Sequence, residues 1–284
     1  MIQDIAPHRF NNQYCPQPPT AESCGLCYDK NTILVRKNED GTFDLPTFQE
    51  LEAENADIYQ IYNQLYTYLF SIDDQTFYLM NQIKPPEGFT WEPIHHTMAI
   101  EPHHLSFAAV TGYQLYNWYE CRKYCGRCGA VMLKNGKSRS LSCPSCQQTE
   151  YPKIAPAVIV GVTNGNRLLL AKYPRFDRYA LIAGFAEIGE TFEETVEREV
   201  MEEAGLKVKN IRYYKSQPWS LSDNLLAGFF CDVDAENSDP NKIVIDASEL
   251  LSAEWFERED IPVREDPNGS LTFEMMYRFK IGKI

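Results

Sequence analysis

Residues 184–206 read GFAEIGETFEETVEREVMEEAGL, an acidic loop followed by an acidic helix. Thr191 and Glu194 have the T-x-x-E spacing of a capping box, which predicts a helix starting near Phe192, and Gly205 is the natural residue to end it. On that helix Arg198, Glu199, Glu202 and Glu203 fall at roughly 0°, 100°, 40° and 140°. Phe192, Val196, Val200, Met201 and Ala204 take the rest of the circle, so one face reads as core and the other as acidic. The last turn of a helix favours cations by about 0.3–1 kcal/mol per site. Glu199 and Glu203, at i and i+4, also repel by roughly 0.2–0.5 kcal/mol. Both effects oppose a purely structural role for these carboxylates. A divalent cation reverses both signs, because hard oxygen donors suit Mg²⁺ or Mn²⁺.

The same stretch fits the order G-x5-E-x7-R-E-U-x-E-E-x-G-U, with U a bulky aliphatic, at Gly184, Glu190, Arg198, Glu199, Val200, Glu202, Glu203, Gly205 and Leu206. In this it resembles the box of the Nudix hydrolases, which cleave nucleoside diphosphates linked to another moiety. The resemblance implies an α+β fold: an α/β/α sandwich around a mixed sheet. It also implies catalytic divalent ions held by Glu199, Glu202 and Glu203, with Arg198 orienting Glu199 and the backbone carbonyl of Ala183 adding an oxygen ligand. Ions so placed polarise a pyrophosphate oxygen and generate hydroxide.

A chain of 284 residues has room for two domains, and 44% hydrophobic with 13% aromatic residues fits globular material. No stretch approaches the roughly 20 apolar residues that span a membrane. The start, MIQDIAPHRF, has neither a basic segment nor an apolar core, so a cytoplasmic location is expected. A net charge of −13 argues against extensive nonspecific binding to nucleic acid. It leaves room for a nucleotide at a site where metals supply local positive charge.

Nine cysteines are present, and four have a pattern of their own. Cys125-Gly-Arg-Cys128 and Cys143-Pro-Ser-Cys146 are two C-x2-C knuckles separated by 14 residues, a gap slightly shorter than usual for such pairs. A two-residue gap lets one tight turn present two sulfurs, and four thiolates close a tetrahedral site with no place for substrate. The expectation is one structural Zn²⁺ per chain, whose binding free energy, on the order of 10 kcal/mol in small modules, folds a segment lacking its own core. Cys24-Gly-Leu-Cys27 has no second pair and carries no metal assignment; Cys121 and Cys231 read as small buried residues.

The remaining pattern divides the chain into an N-terminal domain over residues 1–120, a zinc ribbon over 121–150 and a catalytic domain over 151–284. Strands are expected at Thr32–Arg36 and Thr76–Met80, a helix from Thr47 to about Tyr66 opened by Thr47 and Glu50, and another helix from about Leu105 to Arg122. The adjacent pairs His95/His96 and His103/His104 point apart in any regular structure and suit surface or cap roles. Beyond the ribbon, strands are expected at Ala157–Val162, Arg167–Tyr173, Tyr179–Ile182, Ile211–Tyr214, Leu225–Val233, Lys242–Ile245 and Ala253–Phe256. Asn164-Gly165 reads as a hairpin turn, and a second helix is expected near the C-terminus.

A zinc ribbon leading directly into such a box resembles the NADH pyrophosphatases, also known as NAD-capped RNA hydrolases. Tyr151-Pro152-Lys153 is one point of match, and Ser216-Gln217-Pro218-Trp219 is another; the family's longer form continues Pro-Phe-Pro-x-Ser, whereas this chain continues Ser220-Leu221-Ser222-Asp223-Asn224. The resemblance implies that Gln217, Pro218 and Trp219 line the dinucleotide pocket, that Tyr151 and Phe185 contact the nicotinamide end, and that Glu249 is a further metal ligand. Flat rings pack well on aromatic faces, which agrees with those assignments. The activity implied is hydrolysis of NADH or NAD⁺ to AMP and nicotinamide mononucleotide, with the same cut on NAD-capped RNA, in a homodimer. Glu202 or Glu203 relays the proton from water. Hydrolysis of ADP-ribose or another nucleoside diphosphate, and a nucleotide-sensing regulator, are the competing readings.

Overall fold

The computed structural model describes residues 1–55, 58–59, 65–99, 101–174, 178–265 and 269–284. The chain divides into two compact units: Ile2–Lys153 with Ser220–Ser222, and Met1 with Ile154–Trp219 and Asp223–Ile284.

The first unit carries β1(Phe10–Asn11), β2(Cys24–Asp29), β3(Thr32–Lys37), β4(Phe43–Asp44), α1(Phe48–Glu52), β5(Tyr66–Ile72), β6(Gln75–Met80), β7(Thr90–Pro93) and α2(His103–Cys121). Its sheet runs β1-β5-β6-β2-β3-β4, with β7 also on β3. The period-2 alternation of β2 sorts its side chains between two cores: Cys24, Leu26 and Tyr28 pack on the α2 side, Cys27 with Phe48 and Leu51 of α1 on the other. Cys24 and Cys27 therefore face opposite ways, which rules out one ion between them. At Gly112 a side chain on α2 would run into Leu26 and the Tyr28 hydroxyl, so glycine permits the close approach. The helix opened by Thr47 and Glu50 is real, capping box included, but it spans only Phe48–Glu52. Its expected continuation falls partly outside the described residues, and Tyr66 already begins a strand.

The ribbon strands β8(Leu133–Lys134), β9(Leu141–Ser142) and β10(Thr149–Glu150) form a small antiparallel sheet in order β10-β9-β8 within the same unit. Cys125, Met132, Leu141 and Cys143 join the α2-side core.

The second unit contains β11(Ala155–Asn164), β12(Arg167–Lys172), β13(Tyr179–Ala180), β14(Ile182–Phe185), α3(Phe192–Ala204), β15(Val208–Trp219), β16(Asn224–Val233), β17(Ser252–Glu257) and α4(Leu271–Lys280). The sheet is mixed: β11 pairs parallel with β16 and antiparallel with β12 and β14. Alternation along β11 makes it a three-layer sandwich. Val158, Val160 and Val162 pack under α3 with Val196, Val200 and Ala204, while Ala157 and Ile159 pack under α4 with Leu271, Met275 and Phe279.

Three expectations need correction. The hairpin loop between β11 and β12 is Gly165-Asn166, one residue later than read, because Asn164 still pairs with Arg167; Gly165 takes the left-handed φ of 63°. Lys242–Ile245 is not a strand: Val244 N–H donates to the Ala204 carbonyl, so this apolar run covers the end of α3 instead of joining the sheet. Cys121 is exposed at the end of α2, whereas Cys231 is buried as expected.

Candidate metal and substrate site

The helix α3 begins and ends where its sequence says. Thr191 accepts from the Glu194 N–H while the Glu194 carboxylate accepts from the Thr191 N–H, and Gly205 closes the helix in the left-handed conformation. The division of its faces is different from the simple wheel. Met201, grouped with the core residues, is 40% exposed, while Glu203 is 1% exposed and Glu199 is 8% exposed. Two carboxylates thus sit at the edge of an apolar layer, where charge is costly without compensation.

Arg198 supplies much of that compensation. Its Nε donates to Glu190 Oε1 at 2.6 Å and Nη2 donates to Glu190 Oε2 at 3.0 Å. Nη1 donates to Glu199 Oε1 at 2.7 Å and to Glu202 Oε2 at 3.1 Å, and Nη2 also reaches the Phe185 carbonyl at 2.8 Å. The guanidinium holds the Glu190 carboxyl down at about 2. Glu190 also accepts from the Glu187 N–H and the Thr195 hydroxyl, so the loop before α3 is folded around it. The sequence pattern marks Glu190 without giving it this task, which the spacing alone does not reveal.

Burial raises the Glu199 carboxyl above its ordinary value, with Arg198 pulling the other way. Burial pushes Glu203 further, up to about 7; the Tyr173 hydroxyl and the Ala183 N–H oppose the shift, and the charges of Glu199 and Glu249 add to it. Glu249 sits on an exposed turn, its N–H bonded to the Asp246 carbonyl, close enough for its charge to act on both glutamates. Glu202 is exposed apart from its bond to Arg198.

The strand end opposite α3 explains the glycine of the pattern. At Leu181 the chain changes partners, β13 lying on β12 and β14 on β11. Ile182 packs toward α3, and by alternation Gly184 faces the same way. A Cβ at Gly184 would overlap the Glu199 carboxyl group, so only glycine leaves that carboxylate its place. Phe185 ends the strand and is 53% exposed.

The other substrate-side residues are distributed unevenly. Gln217 is fully buried, its Oε1 accepts from the Leu271 N–H, and its Nε2 has no protein partner among the described residues. It therefore caps α4, whose Ser270 makes no side-chain cap. Trp219 is half-buried against the α4-side core, and Pro218 beside it is also half-buried. Tyr151 belongs to the first unit and is 65% exposed.

The four ribbon cysteines come together. Their sulfurs lie within 4.8 Å of one another, and among the described residues they are the one His/Cys/Asp/Glu group gathered this tightly. The Cys125–Cys146 and Cys128–Cys143 sulfurs are 3.6 and 3.4 Å apart, near the roughly 3.8 Å edge of a tetrahedron with Zn–S bonds of about 2.3 Å. The Cys146 N–H directed at Cys143 Sγ holds that thiol down, at about 6. Neither histidine pair forms such a group; His104 instead packs on His8 with ring centroids 3.9 Å apart and the rings tilted by 33°.

A sequence model of the NUDIX domain matches residues 153–276. This stretch is similar to the NUDIX domain. In sequence the chain is similar to the NAD-capped RNA hydrolase NudC of Enterobacter sp. (strain 638), 42% identical over 161 residues. It is likewise similar to the protein of that name from Escherichia coli O1:K1 / APEC, at 41%. These alignments span 56% of this chain and 60% and 61% of the two relatives, so the chain matches somewhat less than two thirds of their length. Among solved structures, a NUDIX hydrolase from Nitrosomonas europaea is similar at 23% identity and a TM-score of 0.47, over 56% of this chain and 90% of that one. Among the described residues, no helix is long and apolar enough to cross a membrane.

Proposed function

We propose that this protein hydrolyses the pyrophosphate of NADH or NAD⁺, giving AMP and nicotinamide mononucleotide, with Mg²⁺ or Mn²⁺ at the Nudix helix. The observation that carries this reading is the crowding of Glu199 and Glu203 at a buried edge, with Glu249 close enough to act on both. The donor chemistry fits a hard divalent cation, since every side-chain ligand is a carboxylate and Gly184 leaves Glu199 its space. Glu199, Glu203 and Glu249 would hold it, with Glu202 and the Ala183 carbonyl beside them. When bound, such an ion polarises the phosphoanhydride oxygens and eases loss of a proton from water.

The chain's own groups account for the rest. Arg198 fixes Glu199 through Nη1 while Glu190 fixes Arg198, so the ligand carboxylate is oriented by a paired cation. Glu203, buried beside Glu199, is one box group able to take a proton from water. Glu202, exposed and tied to Arg198, is the second group able to do so. The exposed Phe185 and the half-buried Pro218 and Trp219 supply apolar faces for flat rings, and Gln217 braces the wall through α4. Tyr151 enters this reading through the family resemblance alone. Cys125, Cys128, Cys143 and Cys146 hold one structural Zn²⁺, and the ribbon at 121–150 joins an N-terminal domain over 1–120 to the catalytic domain over 151–284.

The relatives are named as hydrolases of NAD-capped RNA, and the same cut on a 5′ cap is part of the proposal. So are a cytoplasmic location and a homodimer, for which light scattering should give twice 32.7 kDa. ADP-ribose is the second candidate substrate. It is favoured by the departure after Trp219, where a short 3-10 turn over Ser220–Ser222 replaces the family's Pro-Phe-Pro. Comparing kcat/KM for NADH, NAD⁺ and ADP-ribose decides between them. A preference for NADH supports the first reading, and equal or higher efficiency with ADP-ribose overturns it.

A further inference from the structure

We infer that Tyr173 is a positioning residue for Glu203: its hydroxyl holds Oε2 so that Oε1 is the oxygen presented to a divalent cation. The inference rests on the metal site proposed above and adds a residue that lies outside the Nudix pattern. Tyr173 directly follows β12, and it shares the parity of Leu169, which packs in the α3-side core. Alternation therefore directs Tyr173 toward α3. Its hydroxyl donates to Glu203 Oε2 at 2.9 Å and lies 3.3 Å from the Leu181 carbonyl oxygen.

Glu203 has few other restraints. The ion pairs of Arg198 go to Glu190, Glu199 and Glu202, and among the described residues none joins a cation to Glu203. The Ala183 N–H is its backbone donor. Tyr173 is thus the side chain that fixes the carboxylate's rotation. A ligand carboxylate with one oxygen bonded elsewhere has a defined second oxygen, and loss of such an outer partner typically weakens metal affinity or activity about 10–100-fold.

The test is Mn²⁺ binding followed by the electron paramagnetic resonance signal of the free ion, for wild type, Tyr173→Phe and Glu203→Gln, each as the full zinc-loaded chain. Phenylalanine keeps the ring and removes only the hydroxyl; an unchanged zinc content and melting temperature confirm the fold. The expected result is Mn²⁺ affinity about tenfold weaker in Tyr173→Phe, with half-saturating Mn²⁺ for turnover raised in parallel and KM for the dinucleotide unchanged. Affinity within twofold of wild type overturns the role of Tyr173 while Glu203→Gln still lowers it. If Glu203→Gln also leaves binding unchanged, the metal-site reading fails, and the inference fails with it.

Discussion

Arg198 grips Glu190 through both carboxylate oxygens, at 2.6 and 3.0 Å, while its remaining nitrogen reaches Glu199 at 2.7 Å. The loop glutamate and the helix glutamate are therefore bound to one planar fork, and neither moves without the other. Glu190→Gln keeps the shape but removes the charge that balances Arg198. Turnover should fall about 10–100-fold, with little change in KM. Steady-state kinetics on the purified variant provide the check.

The same pair has a pH signature. Glu190 is held at about 2 in the folded chain, below the roughly 4.3 of an unfolded glutamate. A depressed carboxyl binds fewer protons folded than unfolded, so its stabilisation is present above the unfolded value and disappears as pH falls through the folded one. Melting temperatures of wild type and Glu190→Gln should differ near neutrality and converge in strong acid.

Glu203 behaves in the opposite sense. Its folded value, about 7, lies above the unfolded one, so it binds more protons folded than unfolded between the two. Stability should decline as pH rises from about 4.3 through that value. In buffer free of Mg²⁺ and Mn²⁺, Glu203→Gln should melt a few degrees above wild type on the alkaline side and level with it in mild acid. Adding Mn²⁺ should raise the wild type alone. Differential scanning calorimetry across pH measures all three.

Gly184→Ala tests the space left for Glu199. The three atoms nearest the added methyl all belong to the Glu199 side chain, so the fold should survive while the carboxylate is displaced. A displacement of this kind can cost about 10²-fold in rate. Circular dichroism should be unchanged with kcat greatly reduced.

Cys143→Ser should abolish the ribbon metal. Because zinc binding contributes on the order of 10 kcal/mol in small modules, the first unit should melt early or aggregate. Elemental analysis should give one zinc per wild-type chain and none in the variant.

Much of this organisation was legible in the chain itself. Both ends of α3 were readable because caps are local: Thr191, Glu194 and Gly205 each satisfy orphan backbone groups within a few residues. The strands β11 and β16 were readable from β-branched and aromatic runs. What escaped depends on distant partners. Cys24–Asp29 reads as a cysteine motif, yet it is a strand because it pairs parallel with Gln75–Met80. Lys242–Ile245 has the composition of a strand, but Val244 meets the open carbonyl of Ala204. Within the site, the box residues were fixed by spacing, whereas the Tyr173–Glu203 bond joins residues thirty apart with no pattern to announce it.

The most direct test of the whole account is product analysis. NADH incubated with wild type and Mg²⁺ or Mn²⁺ should yield AMP and reduced nicotinamide mononucleotide in equal amounts on chromatography, and Glu203→Gln should lose most of that turnover while still binding the dinucleotide. Cleavage at the glycosidic bond, or undiminished hydrolysis by Glu203→Gln, would contradict it.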